Sequence, residues 1–332
     1  MPGVDNSRRV ALSRRALLAG GAAFALTANG AKAQSFPSGP VKIVVATGPG
    51  ASPDVCSRLL ADQLTRLWGQ QVLVINQPGG AGAVAIRAVA ATPPDGTTLY
   101  MALASNFIAL PELQVNFPLD VVRDIVPIAY VGEHPMMIAV SPDLGVSTLP
   151  ELIALARKRK GELNVAAGNR GSTLHLTAEW LRSAAGIDVT LLHYAAGAQV
   201  LTDVLGGRVQ VMVDAVVAMR GAIAGGKIKP IAVGSKQRLP NFPDVPTVAE
   251  TIPGFEGVGW IALMGPPGMA APLAEKISAD VRTTLSQPET QKRLEDLGNY
   301  IHLMTPTELK AFIDDQQRIW QPVIAQTAKS IR

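Results

Sequence analysis

Runs of apolar and β-branched residues alternate along this chain with segments in which apolar residues recur every three or four positions. The runs predict buried strands, and the second pattern predicts helices with one buried face. We predict strands at 41–46, 71–75, 98–103, 136–140, 163–166, 190–193, 209–213 and 230–233. We predict helices at 53–68, 83–91, 149–159, 172–185, 197–205, 215–224, 272–285, 288–297 and 306–324. Such regular alternation indicates βαβ units and an α/β fold with a parallel sheet.

Four of the predicted strand-to-helix loops are rich in Gly, Ser and Thr, namely 47–54, 79–83, 168–173 and 195–198. In open α/β sheets, ligands bind outside the carboxyl ends of the strands, where these loops lie. Each loop brings the first amides of a helix, which lack intrahelical partners and carry the positive end of the helix dipole. One such loop also fits ordinary helix capping, with Ser52 as N-cap and Pro53 after it. Several loops together favour an anion site.

The glycine-containing motifs do not fit a nucleotide site. Gly48-Pro49-Gly50 lacks the third glycine of the dinucleotide fingerprint. Gly221–Lys227 matches the phosphate-loop spacing, but Ile228 stands where that motif needs a hydroxyl, and the predicted helix precedes the motif. We therefore interpret Gly225-Gly226 as the end of a helix. The chain also has no Gly-x-Ser-x-Gly sequence and no acid pair placed by a motif, so we predict neither an enzyme nor a cofactor.

Composition excludes further classes of protein. Hydrophobic residues make up 48% and charged residues 17% of the chain, which is typical of a globular protein. The net charge of +4 comes from residues 1–33, where five basic residues face only Asp5, and the rest of the chain is balanced. A balanced chain has no electrostatic footprint for nucleic acid. Cys56 is the single cysteine, so no internal disulfide is expected, and the four histidines show no metal-ligand spacing.

The first 33 residues have the features of an export signal. Arg14-Arg15 precede an apolar stretch, 16–28, that is too short to span a bilayer. Ala31-Lys32-Ala33 then offers the small-x-small pattern at which signal peptidases cleave. The arginine pair is found in twin-arginine signals and also in ordinary secretory signals, so the route stays open. We predict a cleaved signal over 1–33 and a periplasmic location; an uncleaved anchor is the alternative.

Several short motifs, in order, resemble one known family. They are 94–99 (PDGTTL), 171–176 (GSTLHL), 193–194 (HY), 201–207 (LTDVLGG) and 243–250 (PDVPTVAE). Together they are similar to the Bug (TctC-like) family of periplasmic substrate-binding proteins of the tripartite tricarboxylate transporter system, over about 36–331. The resemblance implies a type II-like periplasmic binding protein fold, or Venus flytrap, with two doubly wound α/β lobes joined by crossing segments. We assign 36–134 plus 262–332 to lobe 1 and 135–261 to lobe 2.

The resemblance also implies a function. A protein of this family binds a small, carboxylate-containing ligand between its lobes and delivers it to the permease subunits of the transporter, and we expect this chain to act as a monomer. A periplasmic sensor that reports the ligand to a signalling partner is the alternative, and neighbouring genes would separate the two. Trp260, near the proposed return crossing, is predicted either to pack inside the protein or to form a wall of the cleft.

Site residues are carried over from the family's loops. The resemblance implies ligand contacts from Gly48, Gly50, Ala51, Ser52 and Asp54, from Asn169, Arg170, Gly171, Ser172 and Thr173, from Ala196 and Gly197, and from Asp214. Arg170 either pairs with a carboxylate or stays exposed, and Asp214 either meets the ligand or stabilises a turn. Three departures, at 51–54, Arg170 and Ala195, indicate that the ligand differs from the di- and tricarboxylates familiar in this family.

Overall fold

The computed structural model describes residues 36–114, 116–194 and 197–331, and every element below lies within Gly39–Arg332. The strands are β1 (Val41–Val45), β2 (Val72–Asn76), β3 (Thr98–Leu103), β4 (Val126–Val140), β5 (Asn164–Ala167), β6 (Thr190–His193), β7 (Val211–Ala215), β8 (Lys229–Val233) and β9 (Val258–Gly265). The helices are α1 (Ser52–Trp68), α2 (Ala83–Ala90), α3 (Ala104–Ile108), α4 (Leu110–Leu113), α5 (Val121–Asp124), α6 (Leu149–Lys158), α7 (Thr173–Ala185), α8 (Gly197–Leu205), α9 (Val216–Ala224), α10 (Ala271–Leu285), α11 (Pro288–Asp296) and α12 (Pro306–Ile331). Short 3-10 helices occur at Gly80–Gly82, Pro142–Leu144 and Val248–Glu250.

The strands pair in the order β2-β1-β3-β9-β4-β7-β5-β6, and β8 also pairs with β4. Both β2 and β3 are parallel to β1, and both β6 and β7 are parallel to β5, as the βαβ pattern predicts. The prediction of a parallel sheet holds for these two groups, and the whole sheet is mixed because β9 and β4 run antiparallel to their neighbours. These two strands lie in the centre of the order, so they join the parallel groups on either side.

Strand β4 is longer than its sequence indicates. We predicted a strand only at 136–140, but β4 begins at Val126 and continues through the segment Gly132–Pro135. Pairing with β9 keeps the segment extended, with Glu133 opposite Trp260 and His134 opposite Gly259. Glycine is required at 259, since a Cβ atom there would lie 2.3 Å from His134 Nε2. Pairing with β9 therefore keeps this segment in a strand, although its glycine and proline locally disfavour one.

Apolar side chains cover both faces of the central strands. Met136, Ile138 and Val140 of β4 belong to one buried cluster, and Met137 and Ala139 belong to another. Burial on both faces explains why residues 136–140 of this strand form a continuous apolar run rather than an alternating pattern. A further cluster contains Trp260, which is fully buried and lies 5.6 Å from Phe107 and 5.7 Å from Phe312 between ring centroids. The packing interpretation of Trp260 is thus confirmed.

The end of α9 confirms the interpretation of the glycine pair. Gly226 adopts a φ of +64°, its N–H donates to Ile223, and the N–H of Lys227 donates to Ala222. These two bonds form the Schellman motif that ends a helix. Among the described residues, no helix combines the length and apolar character that a bilayer crossing needs, and no group of three or more acidic, His or Cys side chains could hold a metal ion.

Candidate functional site

The candidate site is a cavity of about 570 Å3 at the carboxyl ends of β1, β5 and β7. The helices that follow these strands, α1, α7 and α9, begin at its walls, with Ser52, Thr173 and Val217 among the lining residues. This is the edge of the sheet at which α/β folds bind ligands. The volume falls within the range of small-molecule sites.

A buried carboxylate shapes the first loop of the site. Asp54 Oδ2 accepts a hydrogen bond from the Gly50 amide at 2.8 Å, and Oδ1 accepts one from Asn76 Nδ2 at 2.8 Å. Arg58, one helical turn later, adds an ion pair at 2.9 Å. Burial by itself raises the pKa of this carboxyl, but the bonds from Arg58, Gly50 and Asn76 together lower the pKa below its ordinary value. Asp54 is therefore ionised at neutral pH and ties the loop to strand β2.

The start of α1 differs slightly from the prediction. Ala51, not Ser52, occupies the N-cap position, and Ser52 is the first helical residue. The alanine cap has no side-chain acceptor for the first amides. Asn299, from the loop before α12, donates to Ser52 Oγ at 3.2 Å and holds this hydroxyl at the site.

Two histidines hold the second loop of the site. The Gly171 amide donates to Nδ1 of the fully buried His175 at 3.0 Å, and Nδ1 of His193 bonds the Gly168 carbonyl at 3.0 Å. The two rings pack edge to face with centroids 4.7 Å apart. Ser172 caps α7 by accepting from the His175 amide at 3.3 Å. The histidines of the two sequence motifs thus act together on one loop.

Amides without a protein partner remain at the starts of both helices. Within the described part of the chain, the N–H groups of Ser52 and Asp54 in α1 have no acceptor, and neither do those of Thr173 and Leu174 in α7. In contrast, the Gly50 and Gly171 amides are already bonded to side chains of the protein. Open amides at the positive end of a helix bind anions without a cationic side chain.

Asp214 is the next-to-last residue of β7, directly before Ala215, the N-cap of α9, and it lines the cavity. Its Oδ1 accepts from the Ala215 amide at 2.7 Å. Burial raises the pKa of Asp214 to about 6, and the bond from Ala215 opposes that shift only in part. This carboxyl is therefore mostly ionised at neutral pH and places a negative charge in the wall.

Two further ionisable groups line the cavity in neutral form. Burial lowers the pKa of His134 to about 4, so its imidazole is uncharged at neutral pH. Burial and a hydrogen bond to Asp203 raise the pKa of Tyr194 to about 12, and the Tyr194 hydroxyl donates to Asp203 Oδ2 at 2.5 Å. No lysine or arginine occurs among the described residues that line the cavity.

Sequence-predicted site residues fall into three groups. Those that line the cavity are Gly50, Ala51, Ser52, Asn169, Ser172, Thr173 and Asp214. Gly48, Arg170 and Gly171 belong to the same loops, and Asp54 to the first turn of α1, but none of the four is part of the lining, and Arg170 is exposed. Ala196 lies outside the described residues, and Gly197 begins α8.

Other lining residues were not predicted as site residues, and they include Thr47, Leu103, Ser105, His134, Met136 and Leu297. Leu103 and Ser105 follow strand β3, so the rule that ligands gather at strand ends could have found them. His134 lies in the part of β4 that was not predicted as a strand, Met136 is the first residue of the predicted strand 136–140, and Leu297 comes from the far end of the chain. No local signal indicates these three.

The protein has a mixed α/β sheet, and several helices begin around a cavity at the strand ends. This architecture is that of the class of periplasmic solute-binding proteins with the type II-like fold. Residues 56–328 match the model of the tripartite tricarboxylate transporter family receptors (TctC), and the chain belongs to this family.

Similar proteins support both assignments. BugT of Bordetella pertussis is 30% identical over 90% of this chain and 93% of its own length. The structure of Rpa4515 from R. palustris with adipate has a TM-score of 0.80 at 27% identity, covering 89% of this chain and 98% of that one. The structure of MatC from Rhodopseudomonas palustris with bound malate has a TM-score of 0.76 at 27% identity, covering 87% and 100%.

Proposed function

We propose that this protein is a periplasmic solute receptor that binds a small carboxylate-containing ligand in the cavity and delivers it to a tripartite tricarboxylate-type membrane transporter. The observation that carries the proposal is the pair of helix starts, in α1 and α7, whose open amides border one cavity. The adipate and malate bound by two similar proteins support small organic acids as ligands.

Individual residues take different parts in this proposal. The amides of Ser52, Thr173 and Leu174 and the hydroxyls of Ser52 and Thr173 donate to the carboxylate, each such bond being worth roughly 1.5–3 kcal/mol. The Asp54 carboxylate and the Gly171 amide shape the two loops rather than touch the ligand, because their bonds are made within the protein.

Binding is proposed to close the protein around the ligand. The lobes are 36–134 plus 262–332 and 135–261, with α1 in the first and α7 in the second. A ligand held from both helix starts stabilises the closed arrangement, because only that arrangement lets one carboxylate meet both.

Thermal denaturation against a panel of organic acids, with sugars and amines as negative controls, tests the binding function. An acid at about 100 times its Kd adds about 2.7 kcal/mol to the free energy of unfolding, so we expect a clear rise in Tm. A tryptophan at Ala218, which lines the cavity, should abolish the rise, whereas one at the exposed Ala154 of α6 should not. If no acid raises the Tm of the wild type, the proposal is wrong.

Export and delivery need tests in cells. The proposed signal, 1–33, lies outside the described residues, and the mass of the protein recovered from the periplasm shows whether it is removed. Uptake of a labelled acid should be lost both in cells without this protein and in cells without the permease genes. The acid should be recovered unchanged from the purified protein, as expected of a receptor that is not an enzyme.

A further inference from the structure

The charges at the cavity wall set a limit on the charge of the ligand. Four helices of nine or more residues, α1, α7, α8 and α9, have first-turn residues among those that line the cavity, and each helix start is equivalent to roughly half a positive charge. Asp214 neutralises a large part of that charge, since it stands at the start of α9 and is mostly ionised at neutral pH. Roughly one further negative charge can be compensated.

Among the described residues that line the cavity, no side chain adds a positive charge that could compensate a second anionic group. His134 and Tyr194 are uncharged at neutral pH, and the described lining residues include no lysine or arginine. Arg58 points its guanidinium at Asp54, which is outside the lining, and the exposed Arg170 side chain does not line the cavity either.

Most of the wall is apolar. Val55, Leu103, Met136, Leu174, Val200 and Leu297 contribute to it, and they come from five helices and strands and one loop. A carboxylate placed against these side chains would lose its hydration without gaining a partner, which is strongly unfavourable. A hydrocarbon body in the same place would be stabilised by the apolar area that it removes from water.

We infer that the ligand is a monocarboxylate with an apolar body, and that the cavity discriminates against a second carboxylate. This inference rests on the binding function proposed above. The carboxylate lies at the open amides of α1 and α7, and the body fills the apolar part of the cavity. Asp214 is the residue that sets this preference, because its charge opposes any second anionic group. The adipate and malate of the similar structures are diacids, so the preference separates this chain from those two proteins.

Isothermal titration with matched pairs of acids tests the inference. Hexanoate is compared with adipate, and 4-methylbenzoate with terephthalate, so that each pair differs mainly in the second carboxylate. We expect the monoacid of a pair to bind at least about tenfold more tightly, which is about 1.4 kcal/mol. A diacid that binds as tightly as its monoacid, or more tightly, overturns the inference but leaves the receptor function standing. If all four acids fail to bind, together with the wider panel above, the proposed function fails as well.

The isosteric variant Asp214→Asn tests the role assigned to Asp214. Its side-chain oxygen can still accept from the Ala215 amide, so the start of α9 is preserved. We expect the ratio of the diacid Kd to the monoacid Kd to fall by at least about fivefold, because the repulsion of the second carboxylate is removed. An unchanged ratio in a variant with wild-type Tm would overturn this role.

Discussion

Replacing Asp54 by asparagine should destabilise the protein through the loop that borders the cavity. The carboxylate accepts from the Gly50 amide at Oδ2 and from Asn76 at Oδ1, both at 2.8 Å. An asparagine side chain has only one acceptor atom, its oxygen. Its NH2 group therefore faces either the Gly50 amide or the Asn76 amide group, and at least one of the two bonds is lost. The lost charge-assisted bond is worth roughly 1.5–3 kcal/mol. The ion pair with Arg58 adds little, because the Arg58 side chain is half exposed and regains water.

Urea denaturation of Asp54→Asn should therefore show a loss of about 2 kcal/mol in the free energy of unfolding, and a Tm lower by about 4 °C. Asp62→Asn is the matched control, since Asp62 is exposed on the same helix. The pKa of Asp54 lies below its ordinary value, so its stabilising effect is complete above about pH 4 and disappears as the pH falls through the folded-state pKa. The difference in the free energy of unfolding between the wild type and Asp54→Asn should shrink over the same range of pH. If Asp54→Asn and Asp62→Asn are equally stable at neutral pH, the reasoning is refuted.

Three further experiments test the site and the packing of α1. Gly168→Ala should weaken acid binding and lower the Tm, because the new Cβ would lie 2.7 Å from Ser172 Oγ; titration and thermal denaturation that match the wild type would contradict this. His175→Leu leaves the Gly171 amide without an acceptor and should lower the free energy of unfolding by roughly 1–3 kcal/mol in urea, whereas His175→Asn should recover part of that loss. Cys56 is fully buried, and burial raises the pKa of its thiol to about 12, so a thiol reagent should modify it only after denaturation; rapid modification of the folded protein would be inconsistent with this burial.

The sequence predicts most helices and parallel strands because each has a periodic pattern that is visible locally. Strand β9, in contrast, is buried at every position, and an apolar run of that kind does not distinguish a strand from a buried helix. The continuation of β4 through Gly132–Pro135 depends on pairing with β9, which is more than 120 residues away in the chain. Contacts at such separations leave no local signal.

The candidate site was predictable to a similar degree. Its two main loops follow from the rule on strand ends, but what each residue does there depends on partners elsewhere. Asp54 was predicted to contact the ligand, and the sequence gives no sign that its carboxylate also bonds Asn76, which β2 places beside it. The spacing of His175 and His193 in the sequence does not indicate that they act together, and only the fold brings both to the Gly168–Ser172 loop.

The central claim is that open amides at helix starts bind the carboxylate, and Thr173→Pro tests it most directly. Thr173 is the first residue of α7, where proline is favoured, and Ser172 before it has φ −70° and ψ 158°, which suits a residue that precedes proline. Thr173→Val is the control, because it removes the hydroxyl and keeps the amide. By titration with the tightest-binding acid, Thr173→Pro should bind at least about tenfold more weakly than Thr173→Val, with the two Tm values within about 2 °C. Equal affinity of the two variants would contradict the claim.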